Sequence, residues 1–250
     1  MSARRTFLLI SFVAFGAVGW GLRDLAAETA RLDYPSGVPD QSDYESKVQQ
    51  LLKVAAVDFE KAFRSHRSTA LRVTVLPLNE LQKLVRTPSW AVGIYHQGTI
   101  YIPNTPGALE SQNLRRTIRH EYVHAVIDQL SAGKSPAWLD EGLAQLFEGS
   151  RLGRSDFYEL RDAFAPAQHL SLEALDNSFI SMSRRDALQA YRLSLFASER
   201  LLLVSSPPQI VRFFELLSEG KPIASSFRDV FDVSLDAFEA SVLAALQRRP

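Results

Sequence analysis

From Ser42 onward, Val48, Leu51, Leu52, Ala55, Phe59 and Phe63 recur three or four residues apart, which lines one helical face and predicts an amphipathic helix ending near Ser65. The pattern then changes period. Leu71-Arg72-Val73-Thr74-Val75-Leu76 alternates apolar and polar residues and is rich in β-branched side chains, so it reads as a strand stopped by Pro77. A short helix over Asn79 to Val85 follows. Trp90 to Tyr95 and Thr99 to Ile102 read as two more strands, joined by the turn-like His96-Gln97-Gly98 and closed by Pro103. Asn104 to Glu110 reads as a Pro/Gly loop. Ser111 is placed to cap a helix running to about Ser131, with Gly133 beyond its end. Ser135 and Pro136 then open a second helix carrying Trp138, Leu139, Glu141, Leu143, Ala144 and Phe147 up to Gly149. The short connection makes these two helices antiparallel neighbours. Helical spacing continues over Ser155 to Phe164, Arg184 to Val204, Pro208 to Leu217, Pro222 to Val230 and Ser234 to Leu246. The predicted fold class is α+β: a small sheet packed on helices, with a mostly helical C-terminal half closing a cleft.

The N-terminus follows a different logic. Arg4 and Arg5 precede an apolar run from Phe7 to Leu22, the layout of a secretory signal or an uncleaved membrane anchor. Residues 1–27 are assigned to that segment, 28–42, with Pro35, Gly37 and Pro39, to a linker, and 43–250 to the folded domain. Either fate of the segment places the domain outside the cytoplasm, in the periplasm or the extracellular space. The paired arginines also resemble a twin-arginine signal, although such pairs are ordinary in signal peptides.

Composition narrows the chemistry. Lys+Arg 28 against Asp+Glu 28 leaves no net charge, so nothing global favours nucleic acid. With Cys 0 there is no disulfide framework and no thiolate metal site, and a metal has only His and carboxylates to bind it. His120-Glu121-Tyr122-Val123-His124 answers that requirement. Two imidazoles one helical turn apart share a face and reach one ion, and Glu141 on the next helix is the candidate third ligand of a two-His, one-Glu zinc site. Glu121 is placed to take a proton from a metal-bound water. Tyr191 is either a donor to the developing oxyanion or a tyrosine packed in a helix core. Asp128 and Asp140 are candidate supports for the ligand imidazoles or solvated helix charges. His66, His96 and His169 read as surface residues.

These residues resemble a family. His120-Glu121-Tyr122-Val123-His124-Ala125-Val126 with Pro136-Ala137-Trp138-Leu139-Asp140-Glu141-Gly142-Leu143-Ala144 is similar to the gluzincin metallopeptidases, specifically the peptidase MA-like domains of bacterial envelope proteins. Pro88 to Gly93 with Gly98 to Ile102 resembles that family's hairpin before the active helix, and Ala190 to Ser194 a helix after the site. The likeness spans Leu71 to Leu246. It implies a zincin-like fold, one zinc ion held by His120, His124 and Glu141, Glu121 as general base, and peptide or protein substrates. Two departures qualify it. No Gly-x-Met-Glu-Asn signature is present, which points to an endopeptidase rather than an aminopeptidase, and Gln145 stands where thermolysin-like relatives carry an Asp that supports a ligand His. Two rival readings remain open: a catalytically silent zinc-binding scaffold of the cell envelope, and a metal-free helical interaction protein.

Overall fold

The computed structural model describes residues 31–33, 41–65, 71–85, 93–164, 171–176 and 182–248. The N-terminal apolar segment, Trp90 to Val92 of the expected first hairpin strand, His66 and His169 lie outside them. In chain order the elements are β1 (Arg31–Asp33), α1 (Gln41–Phe63), β2 (Arg72–Leu76), α2 (Leu78–Val85), β3 (Ile94–His96), β4 (Thr99–Pro103), α3 (Pro106–Leu109), α4 (Ser111–Ser131) and α5 (Ala137–Glu148). They continue with α6 (Arg154–Ala163), a 3-10 turn at Glu173–Asp176, α7 (Arg184–Leu202), α8 (Pro207–Ser218), α9 (Ile223–Phe231) and α10 (Leu235–Arg248). The fold is α+β. Among the described residues, no helix is long and apolar enough to cross a membrane.

The sheet has the order β1-β2-β4-β3. β2 lies parallel to both β1 and β4, and β3 runs antiparallel to β4 at one edge. Val73 pairs with Ile100 and Val75 with Ile102, and all four are buried, so the period-two alternation seals one sheet face against the helices. The β3–β4 hairpin closes through Gln97 and Gly98, at φ 47° and 79°. Two positive φ values suit the right-handed twist of a two-residue hairpin, and only Gly adopts them without cost.

Several local expectations are corrected. Arg31–Asp33, assigned to the linker, adds a strand along β2, and Gln41 already lies in α1. Within the Asn104 to Glu110 loop, Pro106–Leu109 form a helical turn. α4 starts at Ser111 itself after Glu110, without a side-chain cap bond, and Pro136 rather than Ser135 occupies the cap position of α5. Ala132 joins Gly133 in the left-handed conformation after α4, and both N–H groups return to the Asp128 carbonyl. Ser234 caps α10 as the pattern required, accepting from Ala237 N at 3.2 Å.

The core sits where α4, α5, α7 and α8 meet. α4 is buried along much of its length by Leu114, Ile118, Val123, Val126, Ile127 and Leu130. Trp138, 1% exposed, stacks on Phe238 of α10 at 5.9 Å between ring centroids, which ties α5 to the C-terminal helix. α5 and α7 come into close contact at Gly142, where an added Cβ would collide with the Ser194 carbonyl and Ser198 Oγ. Both serines are fully buried on one face of α7, and small residues there let the backbones come together.

Gly142→Ala tests that contact. Alanine favours a helix over glycine by about 1 kcal/mol, whereas overpacking a tight site costs about 1–3 kcal/mol and more where a backbone atom is struck. The collision wins. The expected outcome is a lower melting temperature, by several degrees at about 2–4 °C per kcal/mol for a domain of this size, read by calorimetry.

Candidate metal centre

α4 presents His120 and His124 one turn apart, with ring centroids 4.8 Å from each other. α5 brings Glu141 against them. His120 Nε2 lies 3.4 Å from Glu141 Oε2, and His124 Nε2 lies 3.8 Å from Oε1. One ligand atom from each of the three residues falls within 4.8 Å of the others. A tetrahedral zinc with bonds of about 2.1 Å holds its donors about 3.4 Å apart, so these side chains need little adjustment to share one ion. Glu141 Oε2 is buried and has no hydrogen-bond partner among the described residues. Leaving a carboxylate oxygen so costs free energy that a bound cation removes. The donor set fits a metal.

The surrounding charge favours a cation as well. Burial opposes charge on both imidazoles, yet Asp140 and Glu141 outweigh it at His124 and push its pKa up to about 9, while Glu141 and Glu148 raise His120 well above the ordinary value. Burial raises Glu141, but His124 and His120 pull it below the usual carboxylate range. Four carboxylates, Glu121, Asp140, Glu141 and Glu148, thus surround two neutral-capable donors.

Each imidazole has a carboxylate on its far nitrogen. His124 Nδ1 is 2.8 Å from Asp140 Oδ1, and His120 Nδ1 is 3.3 Å from Glu148 Oε2, off the line of a full hydrogen bond. With Nδ1 facing an acceptor, Nε2 is left to the ion. Asp128, the other expected support, is engaged elsewhere: it accepts the Tyr95 hydroxyl at 2.7 Å. Glu148 was not among the residues expected from sequence. Its signal there is its place two helical turns after Glu141, on the same face of α5.

Glu121 is buried beside the three ligand candidates, and its Oε2 accepts the Tyr95 backbone N–H at 2.7 Å. Burial raises its pKa, opposed by His120 and His124 and assisted by Glu141. The edge strand β3 is therefore fastened to α4 twice, through Tyr95 N at Glu121 and the Tyr95 hydroxyl at Asp128. Gly93 makes this approach possible, since a Cβ there would collide with Thr117 Cγ2 and lie 3.3 Å from Glu121 Oε1. Tyr191 of α7 is half-buried, and burial together with the charges of Glu141 and Glu121 keeps its phenol protonated far into alkaline pH. Gln145 Nε2 donates to the Tyr191 carbonyl at 3.0 Å and the Glu141 carbonyl at 3.2 Å, tying the two helices beside the site. His96 is exposed at the hairpin end.

A sheet edge fastened to a helix that carries two histidines, with a glutamate delivered from the next helix, defines a zincin-like domain. The chain belongs to the peptidase MA superfamily, whose family model matches residues 73–247, from β2 to α10. No curated protein and no solved structure matches the chain with significant similarity.

Proposed function

We propose that this protein is a zinc-dependent endopeptidase acting outside the cytoplasm, with His120, His124 and Glu141 as metal ligands and Glu121 as general base. The convergence of the three donor side chains, with the buried Glu141 Oε2 3.4 Å from His120 Nε2 and without an aligned hydrogen bond among the described residues, carries the reading. Membership of the peptidase MA superfamily supports it. Export rests on the basic-then-apolar segment from Arg4 to Leu22.

A zinc ion in this set supplies Lewis acidity toward the scissile carbonyl and a bound water whose pKa is near neutrality. The remaining chemistry belongs to the chain. Glu121 Oε2 is held by the Tyr95 N–H, which leaves Oε1 to take the proton of the attacking water and to hand it to the departing amine. Burial brings the basicity of this carboxylate closer to the operating pH. Tyr191, protonated throughout the neutral range, donates its hydroxyl toward the oxygen that gains charge. Asp140 holds His124 in the tautomer that offers Nε2.

Purified protein is expected to carry one zinc per chain and to cleave an internally quenched peptide library. Dialysis against 1,10-phenanthroline should abolish cleavage, and added zinc should restore it. Stoichiometric zinc without cleavage of any library member would favour the silent scaffold. Absence of zinc would remove the metal reading altogether.

A further inference from the structure

We propose that Glu148, the last residue of α5, is the positioning residue for His120, supplying from the helix end the support that Gln145 does not give. The inference rests on the metal reading above and concerns a residue that takes no part in binding the ion or in moving protons.

The first turns of α4 hold the end of α5 in place. Arg116 lies one turn before His120 and Arg119 directly before it, and both reach across to the last turn of α5. Arg119 Nε donates to the Phe147 carbonyl at 2.9 Å and its guanidinium lies 4.3 Å from the Phe147 ring centroid, while its other end pairs with Asp58 of α1. Arg116 pairs with Glu148 Oε1 at 3.0 Å, and Ser150, just past the helix end, donates its hydroxyl to the same oxygen. Cations at a helix C-terminus are favourable in themselves, so both arginines stabilise this end of α5. Oε1 is thereby fixed. Oε2 is left facing His120 Nδ1 at 3.3 Å, inside the protein, with the Glu148 side chain only 14% exposed.

The far nitrogen of a ligand imidazole decides which nitrogen the metal receives. A carboxylate that accepts from Nδ1 keeps the proton there, aims Nε2, and makes the ring more basic toward the ion. His124 has such a partner in Asp140. His120 does not obtain one from position 145, because Gln145 donates its amide to two backbone carbonyls instead. Glu148 lies on the same helix face one turn later, and its Oε2 stands 3.3 Å from the buried Nδ1, which has no aligned hydrogen-bond partner among the described residues, so that a small rotation of the ring completes the bond. Glu148 is already anchored by Arg116 and Ser150 before any metal binds, so the orientation of His120 is preset.

Glu148→Gln tests this, because it keeps shape and an acceptor oxygen but removes the charge. Zinc affinity, measured by competition with a chromophoric chelator, is expected to fall about 10- to 100-fold. The visible spectrum of the cobalt-substituted protein should shift, a change that a purely structural role would not produce. Circular dichroism of the metal-free variant should match the parent. Unchanged zinc affinity and an unchanged cobalt spectrum, in a parent that binds zinc, overturn the assignment and leave the metal reading intact. A parent that binds no zinc overturns both. If Glu148→Gln does not fold, the double variant Arg116→Met, Ser150→Ala frees Oε1 without touching Glu148 and carries the test. It should lose affinity several-fold, and equality with the parent counts against the proposal.

Discussion

Glu121→Gln is expected to retain zinc and to lower kcat by about 100- to 10,000-fold, the usual contribution of a positioned general base. The substitution keeps the size of the side chain and an oxygen that still accepts the Tyr95 N–H, so the edge strand stays fastened to α4. It leaves His120, His124 and Glu141 untouched. Stability should not fall. A carboxyl whose pKa is raised by folding favours the folded state below its unfolded pKa and penalises it as pH rises through the folded value. Burial is the main cause raising Glu121, and glutamine carries no charge to bury. The variant's melting temperature should equal or exceed the parent's, an instance of stability given up at a site for chemistry. The measurements are zinc by elemental analysis, kcat and KM on the best library peptide, and thermal unfolding. Equal hydrolysis by parent and variant would sink the base assignment, whereas loss of zinc would place Glu121 among the ligands.

The elements that build this site were legible because they are local. His120 and His124 announce themselves by a spacing that a helix turns into shared direction, and Leu71 to Leu76 by an alternation that a strand turns into a buried face. Delivery of Glu141 followed from a short connection between two helices. What stayed hidden depends on contacts across the chain. The pairing of Arg31–Asp33 with β2 joins segments separated by the whole of α1 and leaves no mark in three residues of sequence. Asp128 and Asp140 looked alike as acids near the histidines, and only the approach of β3 assigns one to Tyr95 and leaves the other for His124. Glu148 lay two turns from Glu141 on the expected face, yet its role requires the arginines of α4 to hold it. Gly142 and Gly93 read as ordinary glycines until a neighbouring backbone or side chain fills the space a Cβ would need.

His124→Ala should lose the metal itself, and with it all hydrolysis above background. Only two of three donors remain, and Asp140, 2.8 Å from the missing Nδ1, is left inside the site without its partner. Two effects then act together on the melting temperature. Zinc at a thousand times its Kd stabilises a folded protein by about 4 kcal/mol, worth about 8–16 °C in a domain of this size. Orphaning a partly buried hydrogen-bonded group costs about 1–3 kcal/mol, and Asp140 belongs at the lower end because its side chain is 26% exposed. Loss of zinc therefore dominates. The parent's melting temperature should drop on adding chelator, while the variant should melt at one temperature with zinc or chelator present, slightly below the chelated parent. Asp140→Asn, which keeps the three ligands, separates the two effects: it should still respond to zinc, with affinity weaker by about 10- to 100-fold. A zinc-dependent rise in the melting temperature of His124→Ala equal to the parent's would mean that the ion sits elsewhere, and the ligand set would have to be redrawn around it.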